Sequence, residues 1–170
     1  MDGLRKEITL NTAAKKLIAN YRSPLKFIMG LLVKLPSIIF WGVRLKFIDA
    51  YRCEITIPYK WRSQNPFKSI YFAALAGAGE LSTGTLCQVH LAGKGKWSML
   101  VTDLRVEYLK KANSKITFVC EQGADVLTTL EKVENTGAPQ TLTMVSTGLR
   151  EDGLTVARVF ITWSFKKKSS

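Results

Sequence analysis

The hydrophobic positions along the chain change their period several times. Ala13, Ala14, Leu17 and Ile18 form one helical stripe, and Asn11 or Thr12 stands before it as a cap, predicting a helix to about Tyr21. Pro24 opens a second helical run to about Lys34, and Pro36 a short third one to Trp41, where Gly42 ends it. The period then drops to two. Val43, Leu45 and Phe47 alternate with Arg44, Lys46 and Ile48, and after Asp49 to Tyr51 the run Cys53, Ile55 and Ile57 alternates with Arg52, Glu54 and Thr56. These are two strands joined by a tight turn and stopped by Pro58, with residues 59–68 as a polar, aromatic loop.

Residues 69–91 contain no proline, few β-branched residues and many small ones, which predicts one long helix with Ser69 at or near its N-cap. Gly77, Gly79 and Gly84 would each cost about 1 kcal/mol in an exposed helix. They become useful when another element packs very close to the helix surface, as a sheet wrapped around a buried helix does. Beyond Gly93 and Gly95, four strands are predicted at about 97–110, 114–122, 140–150 and 154–166. Lys111 to Asn113 turns the first pair, and Glu151 to Gly153 forms a hairpin in the last. A short helical turn is expected at Ala124 to Lys132, and a frayed, solvated tail from Lys166 to Ser170. The layout is α+β: an antiparallel sheet of about six strands around one long central helix, preceded by N-terminal helices. In domain terms it divides into a helical extension at 1–42, the sheet domain at 43–166 and a tail at 167–170.

Composition narrows the chemistry. Three scattered cysteines (Cys53, Cys87, Cys120) make no disulfide framework and no CxxC pair, and read as buried thiols in a reducing, cytoplasmic setting. A single histidine, His90, leaves zinc chemistry short of ligands and restricts any His-dependent triad to one position; no metal is expected. The chain carries a net charge of +12, and residues 1–62, with 12 basic and 4 acidic side chains, hold +8 of it. Such an excess attracts phosphate in nucleic acid, lipid or a nucleotide-bearing substrate. The first twelve residues lack the apolar core of a signal peptide. Residues 25–48 are the most hydrophobic stretch, but Lys26, Lys34 and Pro36 interrupt them, leaving nine charge-free residues from Leu35 to Val43. A span would need about 18. Amphipathic helices packed on a core are the first reading of this stretch, and a helix lying on an anionic membrane is the second.

The long small-residue helix swaddled by antiparallel strands resembles a hotdog fold, over about residues 35–165. Phenylacetate-type hotdog thioesterases carry an Asn in the loop, a turn Gly, a His-Gly-Gly at the helix start and an acidic residue further along the helix. Aligned on Asn65, this chain has Lys68 at the turn Gly, Tyr71-Phe72-Ala73 at the His-Gly-Gly, and Glu80 at the acidic position, 15 residues after Asn65. Leu104 to Ala112 is similar to the family's strand ending in Tyr-Leu-Lys-Pro-Ala, and LPSIIFWGVRLKFID is similar to a less characterised thioesterase-like branch.

The resemblance implies a homodimer, with a tetramer as a further step, that binds and hydrolyses an acyl-CoA or acyl-carrier-protein thioester. Glu80 would activate water, and the helix start would offer N–H groups to the thioester oxygen. Coenzyme A enters as part of the substrate, and no separate cofactor is expected. Leu75, Ala76, Ala78 and Leu81 surround Glu80 in sequence, so burial should raise its pKa. Asn65 either orients the helix-start loop or donates to a carbonyl, or else is plain turn chemistry of an Asn before Pro66. Tyr71 either packs its ring or points its hydroxyl at substrate. Phe72 and Ala73 replace glycines and narrow the backbone approach. Ser82 and Thr83 either sit on the helix surface or hold a water near Glu80. Arg62, Lys68, Lys110 and Lys111 would form a basic rim for the nucleotide, while His90 has a structural place near the helix end. The competing reading is a non-catalytic acyl-chain or fatty-acid binding module, with peripheral membrane contact through residues 24–48. Nucleic-acid binding rests on charge alone, with no helix-turn-helix, zinc or RRM signature, and is set aside.

Overall fold

A computed structural model describes residues 7–168. Three N-terminal helices come first: α1 (Thr12–Arg22), α2 (Pro24–Lys34) and α3 (Pro36–Phe40). Asn11 caps α1 by accepting the N–H of Ala14 at 2.8 Å, and Pro24 and Pro36 stand at the first positions of α2 and α3. A hairpin follows, β1 (Arg44–Ile48) and β2 (Cys53–Ile57). Asp49 shapes its turn by accepting the N–H groups of Tyr51 and Arg52, both at 2.7 Å. The long helix α4 (Phe72–Leu91) leads to β3 (Trp97–Tyr108), β4 (Ile116–Cys120), helix α5 (Gly123–Thr136), β5 (Gln140–Leu149) and β6 (Thr155–Lys167).

All six strands form one antiparallel sheet in the order β1-β2-β4-β5-β6-β3. The inward positions of β2, β4, β5 and β6, among them Ile55, Phe118, Met144, Val159 and Ile161, are fully buried. They face α4, which also meets α1, α3 and α5. Being enclosed this way, α4 shows no solvent-facing side between Leu81 and Cys87, all of which are buried. Burial of Cys53, Cys87 and Cys120 leaves three free thiols, each with its pKa raised by desolvation.

The close approach expected at the glycines is present. A Cβ at Gly79 would lie 2.5 Å from Val159 Cγ2 of β6, and one at Gly77 would lie 3.2 Å from the Trp41 ring.

Four sequence expectations change. The helix begins at Phe72, not Ser69, because the chain up to Tyr71 is held extended: Ile70 bridges to Gln64, the N–H groups of Ile70 and Tyr71 donate to the carbonyls of Ala112 and Ser63, and Tyr71 has ψ 132°. Residues 111–113 do not turn a strand pair. β3 bonds to β6 at one edge of the sheet, and β4 lies between β2 and β5, so this segment crosses over. The short turn at 124–132 is a full helix of 14 residues, ended by Gly137 at φ 70°. Lys166 and Lys167 belong to β6, paired with Ser98 and Trp97, so the strand runs through them; residues 169–170, and the first six of the twelve residues read as lacking a signal peptide, lie outside the described residues.

Candidate functional site

The loop before α4 is built around Asn65. Its Oδ1 accepts from the Phe67 N–H (3.0 Å), the Ser69 N–H (3.3 Å) and the Ser69 hydroxyl (3.2 Å), while Nδ2 donates to the Ile70 carbonyl at 3.4 Å. The side chain thus organises the helix-start loop, one of its expected roles. Lys68 has φ 57°, the one non-glycine positive φ among the described residues. The position aligned with the family's turn glycine therefore keeps a glycine-type conformation while carrying a lysine.

A groove of about 370 Å³ opens at the start of α4, lined by Asn65, Phe72, Leu75, Tyr108, Lys110 and Lys111 among others. Phe72 and Tyr71 are exposed and their rings meet edge-on at 4.7 Å. Phe72 also meets Tyr108 at 6.4 Å, and the Tyr108 hydroxyl donates to the Phe72 carbonyl at 3.0 Å. Ala73 is half-buried. Of the expected basic rim, Lys110 and Lys111 border this groove and Lys68 is exposed on the adjoining loop. Arg62 points elsewhere: its Nη2 lies 3.3 Å from where a Cβ on Gly42 would be.

Glu80 sits two turns further along α4. Its side chain is largely shielded, and no hydrogen bond or ion pair reaches its carboxylate among the described residues. Desolvation pushes its pKa up to about 6 from an ordinary 4.5. Oε1 lies 3.2 Å from the point a Cβ on Gly84 would occupy, and the Trp163 ring lies 3.3 Å from the same point. The carboxylate and the indole thus both flank the space left open by the missing side chain of Gly84. Neither Gly84 nor Trp163 stands out as a site residue in the sequence. The i to i+4 spacing of Glu80 and Gly84 is a local signal for the first, while Trp163 comes from a distant strand and leaves none.

Ser82 and Thr83 correct the helix-surface expectation, because both are fully buried. Ser82 shares a 2.7 Å bond with Ser146 and donates to the Gly79 carbonyl. Thr83 donates to the Glu80 carbonyl oxygen at 2.9 Å and accepts from Trp163 Nε1 at 3.0 Å. Both hydroxyls are engaged in the core, and Thr83 holds the Trp163 indole through its Nε1–H. His90 is buried at the far end of α4, where Nε2–H donates to the Ala50 carbonyl at 2.8 Å and burial lowers its pKa. Its expected structural place is the observed one.

Comparison with known proteins gives the same frame. No curated protein matches the chain. Among solved structures, a Pseudomonas aeruginosa protein of unknown function and probable thioesterase, PA5026, matches with a TM-score of 0.71 at 17% identity, over 85% of this chain and 97% of its own. Thioesterase HI1161 from Haemophilus influenzae matches with a TM-score of 0.62 at 13% identity, over 81% and 87% of the two chains. A mutant form of thioesterase PA1618 from Pseudomonas aeruginosa gives 0.62 at 12% identity, over 84% and 93%. At these identities the likeness is one of fold, and the fold is the hotdog fold that the sequence resemblance implied. The chain belongs to the family of the Domain of unknown function (DUF4442), whose model matches residues 26–165.

Proposed function

We propose that this DUF4442 member is a homodimeric hotdog protein that binds an acyl-CoA or acyl-carrier-protein thioester and hydrolyses it with Glu80 as general base. The observation that carries the reading is the shielded, unpaired Glu80 carboxylate on the central helix, with a pKa of about 6. Such a group is ionised at neutral pH yet more basic than an exposed carboxylate, which suits proton abstraction from water. Water adds to the thioester carbonyl as Glu80 takes its proton. The tetrahedral intermediate then collapses with cleavage of the C–S bond, and the proton passes to the departing thiolate.

The oxyanion needs donors, and the helix start is their natural source. Phe72 precedes Glu80 by eight residues, roughly 12 Å along one helix axis at 1.5 Å per residue. One thioester cannot touch both ends of that interval, so a second protomer must bring its own helix start to Glu80. The free edge of β3 supports such pairing: it is a long edge strand that exposes Leu100, Val101 and Leu104. Lys110 and Lys111 beside the groove suit the phosphates of a coenzyme A or carrier-protein arm.

The second reading, a non-catalytic acyl-binding module, is favoured by Phe72, whose exposed ring stands where the resembled thioesterases have glycine. A panel of acyl-CoAs, short, long and aromatic, separates the two when run on the wild type beside Glu80→Ala. Turnover lost in the variant with folding intact supports hydrolysis. Absence of turnover on every substrate, with acyl ligand retained in native mass spectrometry, supports the binding module.

A further inference from the structure

No helix among the described residues is long and apolar enough to cross a membrane. Yet α2 does not behave as a helix of an ordinary protein surface. It fully buries only Phe27, while Leu25 (71% exposed), Met29 (54%), Leu32 (48%) and Val33 (82%) face outward. Their spacing of i, i+4, i+7 and i+8 puts them on one side of the helix. Beyond the kink at Leu35, α3 continues with Phe40, 51% exposed, whose ring meets that of Trp61 edge-on at 5.9 Å; Trp61 is itself 72% exposed. We propose that this face, α2 with Phe40 and Trp61, docks the protein on an anionic bilayer, with α2 lying in the plane of the interface.

Charge selects that occupant. Residues 8–48 hold seven Lys or Arg side chains and no Asp or Glu. Lys26 and Lys34 stand on α2 itself, and Lys60 is exposed next to Trp61. An apolar helix face with Lys26 at its edge and Lys34 at the helix end, with a tryptophan and a phenylalanine beside it, matches the requirements of the headgroup boundary: burial for the apolar groups, anionic phosphate for the cations, and an amphipathic depth for the indole. A second copy docking through the same face by two-fold symmetry would set basic surface against basic surface. At 11 residues, α2 is about 16 Å long, enough to lie on a bilayer and too short to traverse it. The inference stands on exposure and charge, and is independent of any chemistry at Glu80.

The test is co-sedimentation of the full chain with phosphatidylcholine vesicles, with and without about 30 mol% phosphatidylserine. The variant Leu25→Gln/Val33→Gln removes apolar surface at two exposed positions without changing charge. The wild type should pellet with the phosphatidylserine vesicles, and binding should fall about tenfold or more in the variant and in roughly 0.5 M salt. Failure of the wild type to pellet with anionic vesicles would overturn the proposal, as would undiminished binding by the folded variant. A change in solution mass on making the variant would also overturn it, by assigning the face to contact between copies.

Discussion

Gly79→Ala is the sharpest perturbation of the helix-in-sheet packing. The new methyl carbon would sit 2.5 Å from Val159 Cγ2, 2.8 Å from Val159 Cβ and 3.3 Å from Phe118 Cδ1. Carbon pairs prefer separations of about 3.5–4.0 Å, so relief needs a retreat of about 1 Å. Rotating the valine does not supply it, because its Cβ is fixed to β6, a strand bonded on both sides by β5 and β3. The helix must lift from the sheet instead. Overpacking of this kind costs about 1–3 kcal/mol or somewhat more, against which alanine regains about 1 kcal/mol of helix propensity. The clash lies at the severe end of that range, so the expected net loss is about 2 kcal/mol. For a chain of this size that is a fall in Tm of roughly 4–8 °C. Gly30→Ala in α2 is the internal control, since nothing lies within 4 Å of its added carbon; it should gain about 1 kcal/mol. Thermal and urea unfolding followed by circular dichroism measures both. A Gly79→Ala protein as stable as wild type would refute the claim that α4 is pressed against β6 at this point.

Two further stability predictions follow from the site. Glu80 holds its proton more tightly folded, with a pKa of about 6, than in the unfolded chain at about 4.5. Its raised pKa therefore contributes stability below pH 4.5 that is lost as pH rises through 6, about 2 kcal/mol in all; Glu80→Gln should remove that dependence, gaining on wild type by this amount between pH 4 and pH 8 in urea titrations. Lys68→Gly should raise stability by about 1 kcal/mol in the same assay, by relieving a left-handed backbone at φ 57°; an unchanged or lowered midpoint would mean the lysine side chain has a compensating contact.

Local signals account for much of what the sequence reveals. The starts of α1, α2 and α3 are set by Asn11, Pro24 and Pro36 through contacts within a few residues, and their boundaries are readable for that reason. The alternation in β4 and β6 reports a sheet with one face on a core. The start of α4 is different: Ser69 is a good cap residue, but the amides after it are claimed by Ser63 and by Ala112, more than 40 residues from Ile70. The crossover at 111–113 likewise has turn-like residues, and only the pairing of β3 with β6 shows that it is no hairpin. Within the site, the shielding of Glu80 can be foreseen from its apolar neighbours, and Asn65 from the turn chemistry of Asn-Pro. The partners of Ser82 and Thr83 lie 64 and 80 residues away, so their burial in hydrogen-bonded pairs has no local signature.

Whether Glu80 is the catalytic base is decided by the pH dependence of kcat/KM for the best acyl-CoA substrate, measured for wild type and Glu80→Gln. If Glu80 is the base, activity in the wild type should fall on the acid side with a midpoint near pH 6. The variant should lose about 100-fold or more at neutral pH and with it that acid limb. A variant that retains wild-type activity and the same limb would exclude Glu80 as the base and move the chemistry away from the central helix.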